Sequence, residues 1–86
     1  MLYMPHFVYI LYSEKVNHYY IGSTSNIDER IHRHNAGSTS STKQGRPWEI
    51  VYSEIFTTKT KALQREIYLK RMKSRVYLED LIAKKN

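Results

Sequence analysis

The 86-residue sequence predicts an α+β fold: a small three-stranded, mostly antiparallel β-sheet flanked by helices. Three observations predict it. Phe7–Tyr12 and Tyr19–Ile21 are short runs of β-branched, aromatic and aliphatic residues, close enough in the chain to pair as a hairpin. Trp48–Phe56 is a third run, alternating polar and apolar over part of its length like a half-exposed strand. The segments between and after these runs carry helix start and stop signals. The order is ββ, helix, loop, β, then two helices, with no internal repeat.

Phe7-Val8-Tyr9-Ile10-Leu11-Tyr12 is apolar on both faces, which predicts a central strand. Ser13-Glu14-Lys15-Val16-Asn17 is polar and turn-like. The second strand runs through Tyr19-Tyr20-Ile21 until Gly22 ends it. Ser25-Asn26-Ile27-Asp28 opens a helix, where Ser25 and Asp28 are spaced like a capping box. Ile27 and Ile31 share one face of it. Asn35-Ala36-Gly37 closes that helix, with Gly37 suited to the left-handed position after the last turn. Residues 37–47 form a flexible loop with room for a short helical turn. Thr57-Thr58-Lys59-Thr60 then offers caps for an amphipathic helix over 60–73, whose stripe of Leu63, Ile67 and Tyr68 is expected to face the core. Ser74 is placed to cap a last helix with Leu78, Leu81 and Ile82 inward.

This length allows a single domain, 1–86, with its core within about 6–82. Folding at this size buries about 60–65% of the surface an unfolded chain exposes. The absence of cysteine excludes disulfides, thiol nucleophiles and cysteine-ligated metal sites. Fourteen Lys and Arg against eight Asp and Glu leave a charge of +6, which suggests a polyanionic partner. No segment approaches the roughly 20 apolar residues that span a bilayer. Met1–His6 has neither the basic region nor the apolar run of a secretory signal. A soluble, cytoplasmic protein with no membrane partner is expected.

Several residues could carry chemistry. Arg30 and His34 are four apart on the first helix and project from one face, beside Ile27 and Ile31. A cation next to an imidazole can bind phosphate and manage a proton; the plainer alternative is a solvated helix face. Glu66 is the only acid from residue 57 to 78, among Lys59, Lys61, Arg65, Lys70, Arg71, Lys73 and Arg75. One carboxylate there could hold a divalent cation that completes its shell with water and phosphate oxygens. The alternative is an i,i+4 ion pair with Lys70, worth about 0.2–0.5 kcal/mol. Tyr9 and Tyr20 lie on adjacent strands, where packing alone would account for them. The serine-rich loop lacks the Gly-Lys-Ser/Thr ending of a phosphate loop, which rules out that NTPase motif.

Phe7-Val8-Tyr9, ten intervening residues, and Tyr20-Ile21-Gly22 resemble the paired motifs of the GIY-YIG nuclease family. The second motif is literal; in the first only the tyrosine is kept. Arg30 falls where the family places its helix arginine, His34 where it carries histidine or tyrosine, and Glu66 on its metal-ligand glutamate. Asn35-Ala36-Gly37, Pro47-Trp48-Glu49 and Ala62-Leu63-Gln64-Arg65-Glu66 continue the match. The resemblance spans roughly residues 6–82 and is nearest to small stand-alone members related to the N-terminal domain of excinuclease C. The chain departs from the pattern in two places. Ser23 stands where some members carry lysine, and no asparagine lies between Asn35 and Asn86.

The resemblance implies the GIY-YIG endonuclease fold and hydrolysis of DNA phosphodiesters with one Mg²⁺ or Mn²⁺, in repair or recombination. It implies catalytic roles for Tyr9, Tyr20, Arg30, His34 and Glu66. Glu66 holds the metal, Arg30 donates to the phosphoryl oxygens, and Tyr20 either takes a proton from the attacking water or only orients it, with His34 or a metal-bound hydroxide as the base. Tyr9 joins the hydrogen-bond network and His34 relays a proton. Lys43, Arg46, Arg65, Lys70 and Lys73 are the expected phosphate contacts. No separate recognition element is visible, so structured or single-stranded DNA, or a protein partner that supplies specificity, is expected. RNA stays open as a substrate. The competing reading is a catalytically weak nucleic-acid-binding module that retains the fold.

Overall fold

The structure, a computed structural model, describes residues 4–85. Strand β1 (His6–Ser13) is central in a three-stranded sheet of order β2-β1-β3, with β2 (His18–Thr24) and β3 (Glu49–Phe56) at the edges. Both pairings are antiparallel. A continuous apolar run belongs at the centre because both of its faces are covered. Val8, Ile10 and Leu11 are indeed fully buried. The hairpin register sets Tyr9 opposite Gly22 and Leu11 opposite Tyr20. Gly22 lies inside β2 and does not end it: pairing continues to Thr24.

Helix α1 (Ile27–Asn35) covers one face of the sheet. Helices α2 (Lys59–Met72) and α3 (Arg75–Lys85) lie on the other. The α1 cap sits one residue later than the Ser25 spacing suggests: the Asn26 side chain accepts from the Glu29 amide at 3.1 Å. Asn26 in turn donates its own amide to Thr24 Oγ1, which fixes the strand-to-helix turn. Gly37 takes φ +81° just past the helix, as the closing sequence predicts. A single 3₁₀ turn, Lys43–Gly45, interrupts the loop. Thr58 caps α2 through the Lys61 amide, and Ser74 caps α3 through the Tyr77 amide.

The two faces of β1 feed two cores. Val8 and Ile10 pack with Ala62, Leu69 and Leu78, while Tyr9 and Leu11 pack with Trp48, Tyr20 and Ile31. Leu78 is buried, and Leu81 and Ile82 pack against the first core, as expected of α3. α2 is oriented otherwise than its apolar stripe predicts. Leu63 is 38% exposed, Ile67 49% and Tyr68 48%. The inward positions are Ala62 and Leu69, with Arg65 and Glu66 half-buried between them. Two polar anchors hold α2 this way round: Arg65 grips Glu54 of β3 through two bonds of 2.9 and 3.0 Å, and Glu66 reaches Ser23 of β2.

Candidate active site

Side-chain alternation places Tyr9, Tyr20 and Gly22 on the α1 face of the sheet. Gly22 is required there by close approach. A Cβ at this position would come within 2.6 Å of Tyr9 Cζ. Its absence lets the Tyr9 phenol lie across β2, toward the free edge of the sheet.

His34 is not at the border of the apolar face but inside it, 1% exposed. Both of its ring nitrogens are bonded: Nε2 to the Tyr9 hydroxyl at 3.1 Å and Nδ1 to Thr42 Oγ1 at 2.7 Å. The Thr42 hydroxyl donates to the Thr39 carbonyl, so it accepts from Nδ1–H. This network assigns the lone pair to Nε2 and makes the Tyr9 hydroxyl the donor in their bond. The Tyr20 ring meets His34 edge-on at 5.0 Å between centroids, and meets Trp48 at 6.3 Å.

Burial, with the neighbouring charges of Arg30 and Arg33, lowers the His34 pKa below its usual 6.5 and keeps the ring neutral at pH 7. Burial also pushes the Tyr9 phenol up to about 12; Tyr20 and Glu66 add to this and Arg30 opposes it. A Tyr9 phenolate at pH 7 therefore costs about 7 kcal/mol. Tyr9 is a hydrogen-bond donor rather than a base. The same influences show that Tyr20, Arg30 and Glu66 all lie within electrostatic reach of Tyr9.

Arg30 contributes the one buried side-chain nitrogen, Nε, that has no hydrogen-bond partner among the described residues. A buried guanidinium N–H without an acceptor is costly, and an oxyanion at that position would satisfy it.

Glu66 approaches from the opposite face. Its Oε1 accepts from Ser23 Oγ at 2.7 Å and its Oε2 from Lys70 Nζ at 2.6 Å, with its side chain 15% exposed. Ser23 follows Gly22 directly, so the carboxylate meets the Tyr9 cluster across this glycine-containing stretch of β2. Glu66 thus forms the i,i+4 pair with Lys70 and still lies beside the tyrosine cluster.

The expected phosphate contacts divide. Lys43 and Lys73 are exposed, and Lys73 takes the left-handed conformation that ends α2. Lys70 is shared with Glu66. Arg46 donates through Nε to the Lys43 carbonyl at 2.8 Å. Arg65 does not belong with them: its guanidinium is held by Glu54 toward β3, and that bonding raises its pKa further.

Sequence reasoning missed the frame that holds His34. Asn35 and Trp48 bond reciprocally, Asn35 Nδ2 to the Trp48 carbonyl at 3.0 Å and the Trp48 amide to Asn35 Oδ1 at 2.6 Å. Trp48 Nε1 donates to the Thr42 carbonyl, and Ser13 Oγ to the Gly45 carbonyl. A threonine in a Ser/Thr-rich loop carries no signal that would single out Thr42.

Comparison with known proteins shows what the chain is similar to. The family model of the GIY-YIG catalytic domain matches residues 5–78. The chain is 37% identical over 79 residues to the UPF0213 protein YazA of Bacillus subtilis, covering 87% of this chain and 79% of that one. It is 39% identical to a UPF0213 protein of Natronomonas pharaonis, covering 91% of each. Among solved structures, the solution NMR structure of the UPF0213 protein BH0048 from Bacillus halodurans superposes with a TM-score of 0.57 at 33% identity, covering 93% of this chain and 84% of that one.

Proposed function

Because this chain belongs to the GIY-YIG family of nuclease domains, we propose that it is a divalent-metal-dependent endonuclease that hydrolyses DNA phosphodiesters, in repair or recombination. The observation that supports this most is Arg30 Nε, buried and unpaired among the described residues, on a side chain that interacts with Tyr9. The rest of this half-buried guanidinium is the part open to a scissile phosphate.

Arg30 binds the phosphoryl oxygens, where negative charge grows in the transition state. Tyr20 Oη orients the attacking water, and takes its proton only as the phenolate. Tyr9 keeps its proton, donates a hydrogen bond to His34 and contributes its phenol oxygen to the polar wall. His34 positions Tyr9 and does not reach solvent.

Glu66 is the residue that would hold Mg²⁺ or Mn²⁺. Among the described residues no three His, Cys, Asp or Glu gather into a closed site. The donor set is one carboxylate with a neighbouring hydroxyl, and it fits a cation that keeps most of its water and binds the substrate phosphate. Such an ion supplies charge neutralisation at the phosphate and the leaving oxygen.

A second reading is a nucleic-acid-binding module without catalysis. It is favoured by Lys70, which already neutralises Glu66. Nicking of supercoiled plasmid with Mg²⁺ or Mn²⁺ separates the two readings. The nuclease reading expects nicking that EDTA abolishes and Glu66→Ala removes, with DNA binding retained. Plasmid and single-stranded DNA that are bound but never cut would establish the second reading instead.

A further inference from the structure

β2 is an edge strand, and its free side is concave on both flanks. Against α2 and the start of α3 lies a groove of about 400 Å³, with Ile21 and Leu69 in its floor and Lys70, Lys73 and Arg75 along its rim. On the loop side lies a second concavity of about 360 Å³, which shares His18, Tyr19 and Tyr20 with the first. A third, of about 470 Å³, continues from it through Val16 and Gln44 to Lys15, Lys43 and Arg46. Among the described residues no acid lines any of the three. The hollows therefore run end to end past Tyr20, with ammonium groups at both ends.

Not every cation on this path is free. Arg75 is held by Glu79 and Asn17, so it shapes the wall. Lys70 gives one N–H to Glu66 and retains two. Lys73, Lys15 and Lys43 have exposed side chains.

We propose that the free edge of β2 is a track for single-stranded nucleic acid, running from Lys70 and Lys73 past Tyr20 to Lys15 and Lys43. The proposal rests on the nuclease reading and adds the strand state of the substrate. The rings of Tyr19 and Tyr20 line the path between the cations, and stacking on such rings requires unpaired bases. Apolar floor beneath cationic rim suits unpaired bases with phosphates above them, as in other single-strand grooves. A peptide strand added to the β2 edge would find no acid in these hollows, among the described residues, to answer its own cations.

The test is equilibrium binding in EDTA, which does not require cleavage. Fluorescence anisotropy is measured with a single-stranded oligonucleotide, the matching blunt duplex, and a duplex with a single-stranded overhang, across a salt series. The single strand and the overhang are expected to bind at least several-fold tighter than the blunt duplex. Lys73→Ala and Lys43→Ala are each expected to flatten the slope of log K against log salt by about 0.7. Lys84→Ala, on α3, is expected to leave that slope unchanged. Equal affinity for blunt and single-stranded DNA, equal effects of all three variants, or competition by poly-glutamate as effective as by the oligonucleotide would overturn the track. Cleavage of the plasmid and of the single-stranded oligonucleotide, each with Mg²⁺, is scored separately. A chain that nicks but shows no strand preference loses the track alone. One that shows the preference and cuts neither the plasmid nor the single-stranded oligonucleotide loses the nuclease reading alone.

Discussion

At the residue scale, the chemistry turns on which groups are free and which are already bonded. Tyr9 and Tyr20 occupy equivalent-looking places in the two motifs, yet their surroundings differ. The Tyr9 hydroxyl is tied to a neutral, buried His34 and resists ionisation. Tyr20 lines the open edge of β2. Tyr20→Phe should therefore lower single-turnover cleavage by about 10²–10⁴-fold, the range of a lost acid–base group, with DNA affinity unchanged. Cleavage by Tyr20→Phe at near the parent rate would transfer its role elsewhere. His34 gives a second prediction, in stability. Its pKa is lower in the folded protein than the 6.5 of an unfolded chain. Below pH 6.5 the unfolded chain takes up a proton that the native ring resists. Stability present above pH 6.5 is accordingly lost as pH falls toward the folded value. The melting temperature should drop between pH 6.5 and pH 5, and His34→Gln should drop less across the same interval. Parallel pH profiles for the two proteins would contradict the buried, neutral assignment.

At the element scale, β2 and the α1-to-β3 loop place the cluster. Gly22→Ala drives a methyl group into the Tyr9 ring. The expected cost is about 1–3 kcal/mol, typical of overpacking, together with loss of cleavage as the phenol is displaced. Thermal unfolding and nicking, measured side by side, check both. Asn35→Ala leaves the Trp48 amide without its 2.6 Å acceptor and should cost about 1–3 kcal/mol by chemical denaturation. No measurable change would mean that this clasp is not what holds the loop.

These elements also show where the sequence was legible. The strands, the hairpin, the closing Gly37 and the Ser74 cap follow from local patterns that the structure repeats. The inward face of α2 does not. A stripe of Leu63 and Ile67 ordinarily marks the buried side of a helix, but here Arg65 and Glu66 turn inward and bond to the two edge strands. Hydrophobic periodicity misreads a helix whose inward side carries a guanidinium and a carboxylate, since that side breaks the apolar pattern. Gly22 misleads in a related way. Glycine is a common strand terminator, but here it stays within β2 to make room for an aromatic ring that comes from a different strand. The proximity of Tyr9, Tyr20, Arg30 and Glu66 was readable only through the family's spacing. The bonds of His34 to Thr42 and of Asn35 to Trp48 needed the fold itself.

At the scale of the whole molecule, a +6 chain presents cations at both ends of an open sheet edge. Among the described residues no helix is long and apolar enough to cross a membrane. In the function proposed above, the Tyr9 cluster exists to hold a phosphate, with Arg30 as its oxyanion donor. The most direct measurement is the single-turnover cleavage rate of Arg30→Gln, taken with its DNA affinity. The rate is expected to fall by about 10²–10³-fold, the cost of a missing oxyanion donor, at an affinity within about two-fold of the parent. A variant that cuts at the parent rate would show that the Arg30 guanidinium has no part in the reaction.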